Sequence, residues 1–294
     1  MKVRIGVGVA GASSSPRDLE EILEALEHFG FDSVWLPDVL QAPVDDAMTA
    51  LAYAAAHVRK LKLGTTLVFP GRNPVRLARE LATVDRLSNG RLLATAVSGI
   101  NRRAELAALG LSAEERGAEM DELLPLVKAL LGGGPVDHHG ARWAFEGLRV
   151  EQTPVQDPFD IWVGGTVPAA LRRAGRLADG WLPSLCTPEE AGAGRARIER
   201  YAAEAGRRVD PEHFGASIGY RDGDLPEGAA ERLRLRPGAD VGRLVPDGLP
   251  ALRALLEQFV DAGISKFVVR PVRPPASWHD ELGRLADAVL DLQR

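Results

Sequence analysis

Phe159-Asp160-Ile161-Trp162-Val163-Gly164-Gly165-Thr166, followed after a Leu/Ala/Arg-rich stretch by Ala178-Asp179-Gly180-Trp181-Leu182-Pro183-Ser184, is the segment from which the fold can be read. Ile161, Trp162 and Val163 form a short apolar run without alternation, as in a strand buried on both faces of a parallel sheet. Gly164 and Gly165 let the backbone turn sharply and leave its N–H groups uncovered, and Thr166 stands where a cap is expected before a helix beginning at Val167-Pro168. Gly180 to Pro183 supplies the next strand. Uncovered N–H groups beside the positive end of a helix make an anion seat. The same residues also suit an ordinary strand-to-helix turn, so the rest of the chain must decide between the two.

Working outward, the strand–helix alternation repeats. Val3, Ile5, Val7 and Val9 mark the first strand, and Ser15-Pro16 opens a helix with Leu19, Ile22, Leu23, Leu26 and Phe29 on one face, stopped by Gly30. Ser33 to Pro37 is the second strand, ending at Asp38, and Asp45 to His57 is an alanine-rich helix. Leu61 to Phe69 is the third strand, and Asn73-Pro74 caps a helix with the buried stripe Leu77, Leu81, Val84 and Leu87. The fourth strand spans Arg91 to Val97. A short helical excursion within Asn101 to Leu111 and a long helix from Ala113 to Leu131 come next. Val136 to His139 and Trp143 to Glu146, separated by Gly140, read as a hairpin inserted before the fifth strand.

Beyond the opening segment, Thr187-Pro188-Glu189-Glu190 is a capping box for the sixth helix. Phe214 to Tyr220 is the seventh strand. The Gly/Pro/Asp-rich stretch from Arg221 to Pro250, with a short helix expected around 229–235, is a candidate lid. Leu252, Leu255, Leu256, Phe259 and Val260 mark the seventh helix, Lys266 to Val269 the eighth strand and Leu282 to Leu292 the last helix. Eight strand–helix units in 294 residues argue for a single closed (β/α)8 TIM barrel over residues 1–294, rather than an open doubly wound sheet.

Composition narrows the function. The 36 basic and 41 acidic residues, net charge −5, are spread along the chain without runs of either sign, which argues against a nucleic-acid surface. A single cysteine, Cys186, rules out an intramolecular disulfide and a thiolate metal cluster. No apolar run reaches membrane-spanning length and no signal-peptide pattern opens the chain, so a soluble cytoplasmic protein is expected.

Functional residues of a barrel sit at the C-terminal ends of its strands. That rule selects Gly8 to Ala10, Asp38, Thr66 to Phe69, Val97 to Gly99, Gly164 to Thr166 and Ser184 to Cys186, with Tyr220 and Arg270. None of the six histidines falls there, so neither a histidine metal site nor a histidine relay is expected. Gly-x-Ser-x-Gly, His-Glu-x-x-His and Gly-Lys-Ser/Thr motifs are absent. Asp38 is the one carboxylate directly at a strand end, and either caps the following loop or acts at the mouth; a two-carboxylate glycosidase lacks its second member. An apolar and hydroxylated mouth with an anion seat suits a flat cofactor that carries a phosphate and brings its own chemistry.

Several segments in order then resemble the luciferase-like monooxygenase superfamily, and within it the branch that uses the deazaflavin coenzyme F420. They are Phe31 to Asp38, Leu63 to Leu67, Arg72-Asn73-Pro74 with Leu87 to Arg91, Glu105 to Gly110, Arg116-Gly117 with Asp121-Glu122, Gly164 to Thr166, and Ala178 to Trp181. The resemblance implies the same barrel, luciferase-like, with an insertion between strands four and five. It also implies that Gly164, Gly165 and Thr166 bind the cofactor phosphate, that Val97, Ser98 and Gly99 flank the ring, and that Asp38 lies near the reactive face as catalytic residue. A non-prolyl cis peptide is implied at Thr66–Leu67, backing the ring, and Ser184 completes the expected cofactor-binding set. No metal is expected.

The implied activity is hydride transfer between coenzyme F420 and a small-molecule substrate, by a protein that resembles homodimeric relatives. The alternatives are an FMN-dependent luciferase-like monooxygenase and a cofactor-binding barrel without turnover. Many members of this family carry histidine directly after the acid of strand two; here Val39 follows Asp38.

Overall fold

A computed structural model describes residues 1–9, 16–42, 44–99, 102–227, 230, 233, 236 and 240–293. Its strands are β1 (Arg4–Gly8), β2 (Ser33–Pro37), β3 (Lys62–Val68), β4 (Leu92–Val97), β5 (Val136–His139), β6 (Ala144–Leu148), β7 (Ile161–Val163), β8 (Gly180–Trp181), β9 (Gly215–Tyr220) and β10 (Lys266–Pro271). Eight of them form one parallel sheet in the order β8-β7-β4-β3-β2-β1-β10-β9. Parallel bridges Trp181↔Phe214 and Ser184↔Ser217 join its two edges. The expected eight-stranded barrel is therefore present, and β5 and β6 form the expected antiparallel hairpin between the fourth and fifth barrel strands.

Alternation along each strand sends one set of residues inward and the other toward the helices. Ile5, Val7, Val34, Leu63, Leu67, Ala94, Ala96, Ile161, Val163, Phe267 and Val269 belong to the main core beneath the helix layer. Inside the barrel Trp35, Leu182 and Val268 make a second, smaller cluster, with Leu93 and Trp162 against it. Strand glycines make room for the two indoles. A Cβ at Gly64 would lie 2.3 Å from Trp35 Cδ2, and one at Gly180 would lie 2.5 Å from Trp162 Cδ2.

The helices are α1 (Pro16–Phe29), α2 (Ala47–His57), α3 (Pro74–Leu87), α4 (Arg103–Ala108), α5 (Glu115–Leu131), α6 (Pro168–Leu177), α7 (Pro188–Glu204), α8 (Val241–Leu244), α9 (Leu249–Asp261) and α10 (Trp278–Val289). Their starts follow local chemistry. Asn73 accepts from Val75 N and Arg76 N at 3.1 Å each, with Pro74 following it. Thr187 and Glu190 form the expected reciprocal capping box. The last helix begins at Trp278, ahead of the expected Leu282, because Ser277 accepts from Asp280 N at 3.2 Å. The expected helix around 229–235 and the Ser15 cap fall outside the described residues, apart from single positions at 230 and 233. No described helix is long and apolar enough to cross a membrane.

The hairpin is anchored by one carboxylate. Glu122 on α5 meets His138 Nε2 at 2.9 Å and accepts from Trp143 N and Arg142 N at 3.2 Å. Burial works to raise the Glu122 carboxyl, but His138 and those two N–H groups outweigh it and hold it below the usual carboxylate range. The return into β7 is held by Asp85, fully buried on α3, which accepts from Val155 N, Gln156 N and Gln156 Nε2 at 2.6–3.0 Å.

Candidate active site

The C-terminal ends of the barrel strands open into a cavity of about 540 Å³. Seven of the ten residues expected from sequence line it: Asp38, Thr66, Val97, Gly99, Gly164, Gly165 and Ser184. Leu67 points the other way, fully buried in the core under the helices, as the alternation of β3 requires once Thr66 faces inward. Ser98 and Thr166 are half-buried beside lining residues without lining the cavity themselves.

Two expectations at this site need correction. The Thr66–Leu67 bond is not cis; among the described residues the cis peptide is Asp157–Pro158. The pairing of β3 with β4 runs without interruption from Leu63↔Leu92 to Val68↔Val97, so the strand has no bulge that would enforce a bond costing about 3–4 kcal/mol. The cap of α6 is also one residue later than expected: Val167 is the N-cap and no side chain caps the helix.

That second correction favours an anion seat. Val167 is 62 % exposed and Gly165 is exposed, so the uncapped helix end opens to solvent. Gly165 adopts φ +96°, and its carbonyl accepts from Trp181 Nε1 at 2.8 Å, which fixes the turn from β8. At Gly164 a Cβ would stand 2.8 Å from Val97 Cγ1, so the backbone lies directly against the cavity wall. The turn forms a cradle without side chains in front of the positive end of a ten-residue helix.

Across the mouth, Asp38 is held rather than free. Its Oδ2 accepts from Val68 N at 3.1 Å and from Arg72 NH2 at 2.9 Å. Arg72 also donates through Nε to Val68 O at 2.9 Å and through NH1 to Glu80 at 3.2 Å. The Asp38 side chain is 7 % exposed. One guanidinium thus ties the end of β2, the end of β3 and α3 together. Reading from sequence missed this role for Arg72, because the partner lies 34 positions away.

Two further lining residues were also missed. Arg102 and Glu105 enter from the start of α4, 3.7 Å apart, with Glu105 5 % exposed. Leu185 lies on the rim at φ +52°, a left-handed conformation that is strained for a branched side chain. Val245, next to α8, is the contribution of the expected lid region. Among the described residues no histidine lines the cavity. Cys186, selected with the strand-end residues, lies outside the lining and is buried; desolvation, with Glu190 nearby, pushes its thiol up to about 12, which makes it a poor nucleophile. Among the described residues no group of three His, Cys, Asp or Glu side chains is placed to hold a metal.

Known proteins share this architecture. The family described as luciferase-like monooxygenase matches residues 2–239. The F420-dependent glucose-6-phosphate dehydrogenase of Nakamurella multipartita is 31% identical over 227 residues, 71% of this chain. The chain spans 64% of the length of that relative. The enzyme of the same description from Beutenbergia cavernae is 28% identical over 280 residues, 85% of this chain and 82% of that one. Among solved structures, an F420-dependent secondary alcohol dehydrogenase in complex with an F420-acetone adduct superposes with TM-score 0.80 at 20% identity, covering 100% of both chains. A family match over most of the chain, on a barrel with the glycine cradle and the acid of strand two at its mouth, places this chain in the luciferase-like monooxygenase family.

Proposed function

We propose that this protein is an oxidoreductase that transfers a hydride between the deazaflavin coenzyme F420 and a small organic substrate. The observation that carries the reading is a single cavity with an uncapped glycine cradle on one side and a clamped carboxylate on the other. The relatives named as F420-dependent dehydrogenases support it over the FMN-dependent alternative.

The residues present fit such a cofactor. About 540 Å³ accommodates a flat ring system, and cavities of roughly 300–1,000 Å³ hold small ligands. Gly164, Gly165 and the backbone at Thr166 hold the phosphate against the α6 N-terminus. Val97, Thr66 and Gly99 flank the ring, with Ser98 and Leu67 contributing backbone, and Ser184 closes the rim. Asp38, held by Val68 N and Arg72, would offer its second oxygen as a hydrogen-bond acceptor that helps orient a bound cofactor. Once bound, the deazaflavin supplies the hydride chemistry at its central ring carbon. The protein acts in the cytoplasm as a homodimer.

Titrating the purified protein with F420 and, separately, with FMN tests the cofactor. Saturable binding of F420 tighter than that of FMN is expected; tight FMN binding without F420 binding would overturn the reading. A panel of carbonyl, imine and enone substrates tests turnover, and a protein that binds F420 but turns over none of them is the binding barrel instead. A monomer mass by light scattering would remove the dimer.

A further inference from the structure

We propose that Glu105 carries the proton that accompanies hydride transfer, an assignment that rests on the cavity being the deazaflavin site. A hydride added to a carbonyl carbon leaves negative charge on oxygen, and the position next to Asp38 where relatives offer an imidazole holds Val39. Among the described residues the charged side chains lining the cavity are Asp38, Arg102, Glu105 and Arg270. Guanidinium groups do not give up a proton in proteins, which removes the two arginines. Asp38 is committed to Val68 N and Arg72, and protonating it would break that clamp.

Glu105 differs on each count. Its side chain is 5 % exposed and lines the cavity, and its buried Oε1 makes no hydrogen bond. Arg102 NH1 stands 3.7 Å away, an ion-pair distance beyond hydrogen-bond reach. A buried carboxyl oxygen without a partner, on a side chain that lines a cavity, is a group waiting for one, and a substrate hydroxyl or carbonyl that reaches this carboxyl provides it.

The step balances as follows. In the reducing direction the carbonyl carbon gains a hydride from the reduced deazaflavin and forms a C–H bond. The π electrons of the C=O bond pass to oxygen, and that oxygen takes the proton of the Glu105 carboxylic acid. The substrate is reduced to the alcohol, the deazaflavin is oxidised with its remaining ring N–H proton passing to solvent, and Glu105 is left as carboxylate. In the oxidising direction the Glu105 carboxylate accepts the alcohol proton as the hydride departs.

Glu105→Gln preserves shape but cannot exchange a carboxyl proton. With the carbonyl that wild type reduces fastest, kcat is expected to fall about 10²- to 10⁴-fold, and the pH-profile limb belonging to this group to vanish. The Kd for F420, read by fluorescence, should change by less than about threefold, since only an interaction made during reaction is removed. Added formate should restore part of the rate of Glu105→Ala. Independently of turnover, the infrared C=O stretch of a protonated carboxyl should appear in wild type at the pH of fastest reduction and be absent from Glu105→Gln.

Unchanged kcat and pH profile in Glu105→Gln, or no such band in wild type, would overturn the assignment. So would loss of F420 affinity along with rate in both variants, which would make Glu105 a structural residue of α4. Failure of wild type to bind F420 would instead strike the cofactor reading itself.

Discussion

At the scale of the residue, Arg72 shows what a linear reading leaves hidden. Arg72-Asn73-Pro74 is conspicuous in the sequence as a helix start, yet the bonds of Arg72 run to β3, to Asp38 and to Glu80. Replacing it with methionine keeps the aliphatic stem and leaves Asp38, 7 % exposed, with the Val68 N–H alone. Breaking a mostly buried pair in this way is expected to cost about 2–4 kcal/mol, somewhat below the fully buried case because Arg72 is 23 % exposed. The urea midpoint should fall and F420 binding weaken with it. Arg72→Lys should recover only part of both, since one ammonium cannot reproduce three bonds in a planar fork. An unchanged midpoint in Arg72→Met would show that the clamp contributes nothing. Asp38, by contrast, was legible: its position at a strand end needs only the strand count. Glu105 falls in a segment that resembles the family, but its burial and its unbonded oxygen depend on how α4 is laid over the mouth, which no local pattern reports.

At the scale of the element, strand and helix identities were readable because each signal is local. The apolar run of β7, the Thr187 to Glu190 box and the Asn73-Pro74 start each lie within a few positions, and the hairpin β5–β6 followed from two polar-alternating runs around Gly140. The α6 cap was misread because Thr166 and Val167 are neighbours, and only the backbone conformation tells which one starts the helix. The β7–α6 turn carries its own prediction. Gly165→Asp puts a carboxylate into the cradle and should weaken F420 binding by about tenfold or more, where 1.4 kcal/mol is a factor of 10. The φ of +96° adds a stability cost of about 1–3 kcal/mol that must be separated from the electrostatic effect. Gly206→Asp provides the control: Gly206 has φ +68°, lies at the far end of α7, and a Cβ there meets nothing within 4 Å. Calorimetric titration should show lost affinity in the first variant and unchanged affinity in the second, with both losing thermal stability. Equal affinity in both would remove the phosphate from this turn.

At the scale of the whole molecule, the barrel interior and the site share one side chain. Trp35 stands in the inner cluster with Leu182 and Val268 and also lines the cavity, so it is at once packing for the barrel and floor for the cofactor. Its Nε1 donates to Ser33 Oγ at 3.0 Å, and its ring lies over Gly64 of β3. The eight-strand count was legible from the alternation, but the reason for glycine inside β3 was not, because it appears only when the sheet closes and brings the indole over that position. Gly64→Ala would set a methyl 2.3 Å from Cδ2, and the ring, which lines the cavity, must shift to admit it. Overpacking a filled interior costs about 1–3 kcal/mol. The variant should therefore lose both denaturant midpoint and F420 affinity. Trp35→Phe shortens the ring that meets the new methyl, so the double variant should recover part of the loss that Gly64→Ala shows alone, with a coupling of about 0.5–3 kcal/mol as for residues in contact. Strictly additive losses in the four-protein cycle would mean that β3 accommodates alanine by shifting within the sheet, and that the indole does not transmit barrel packing to the site.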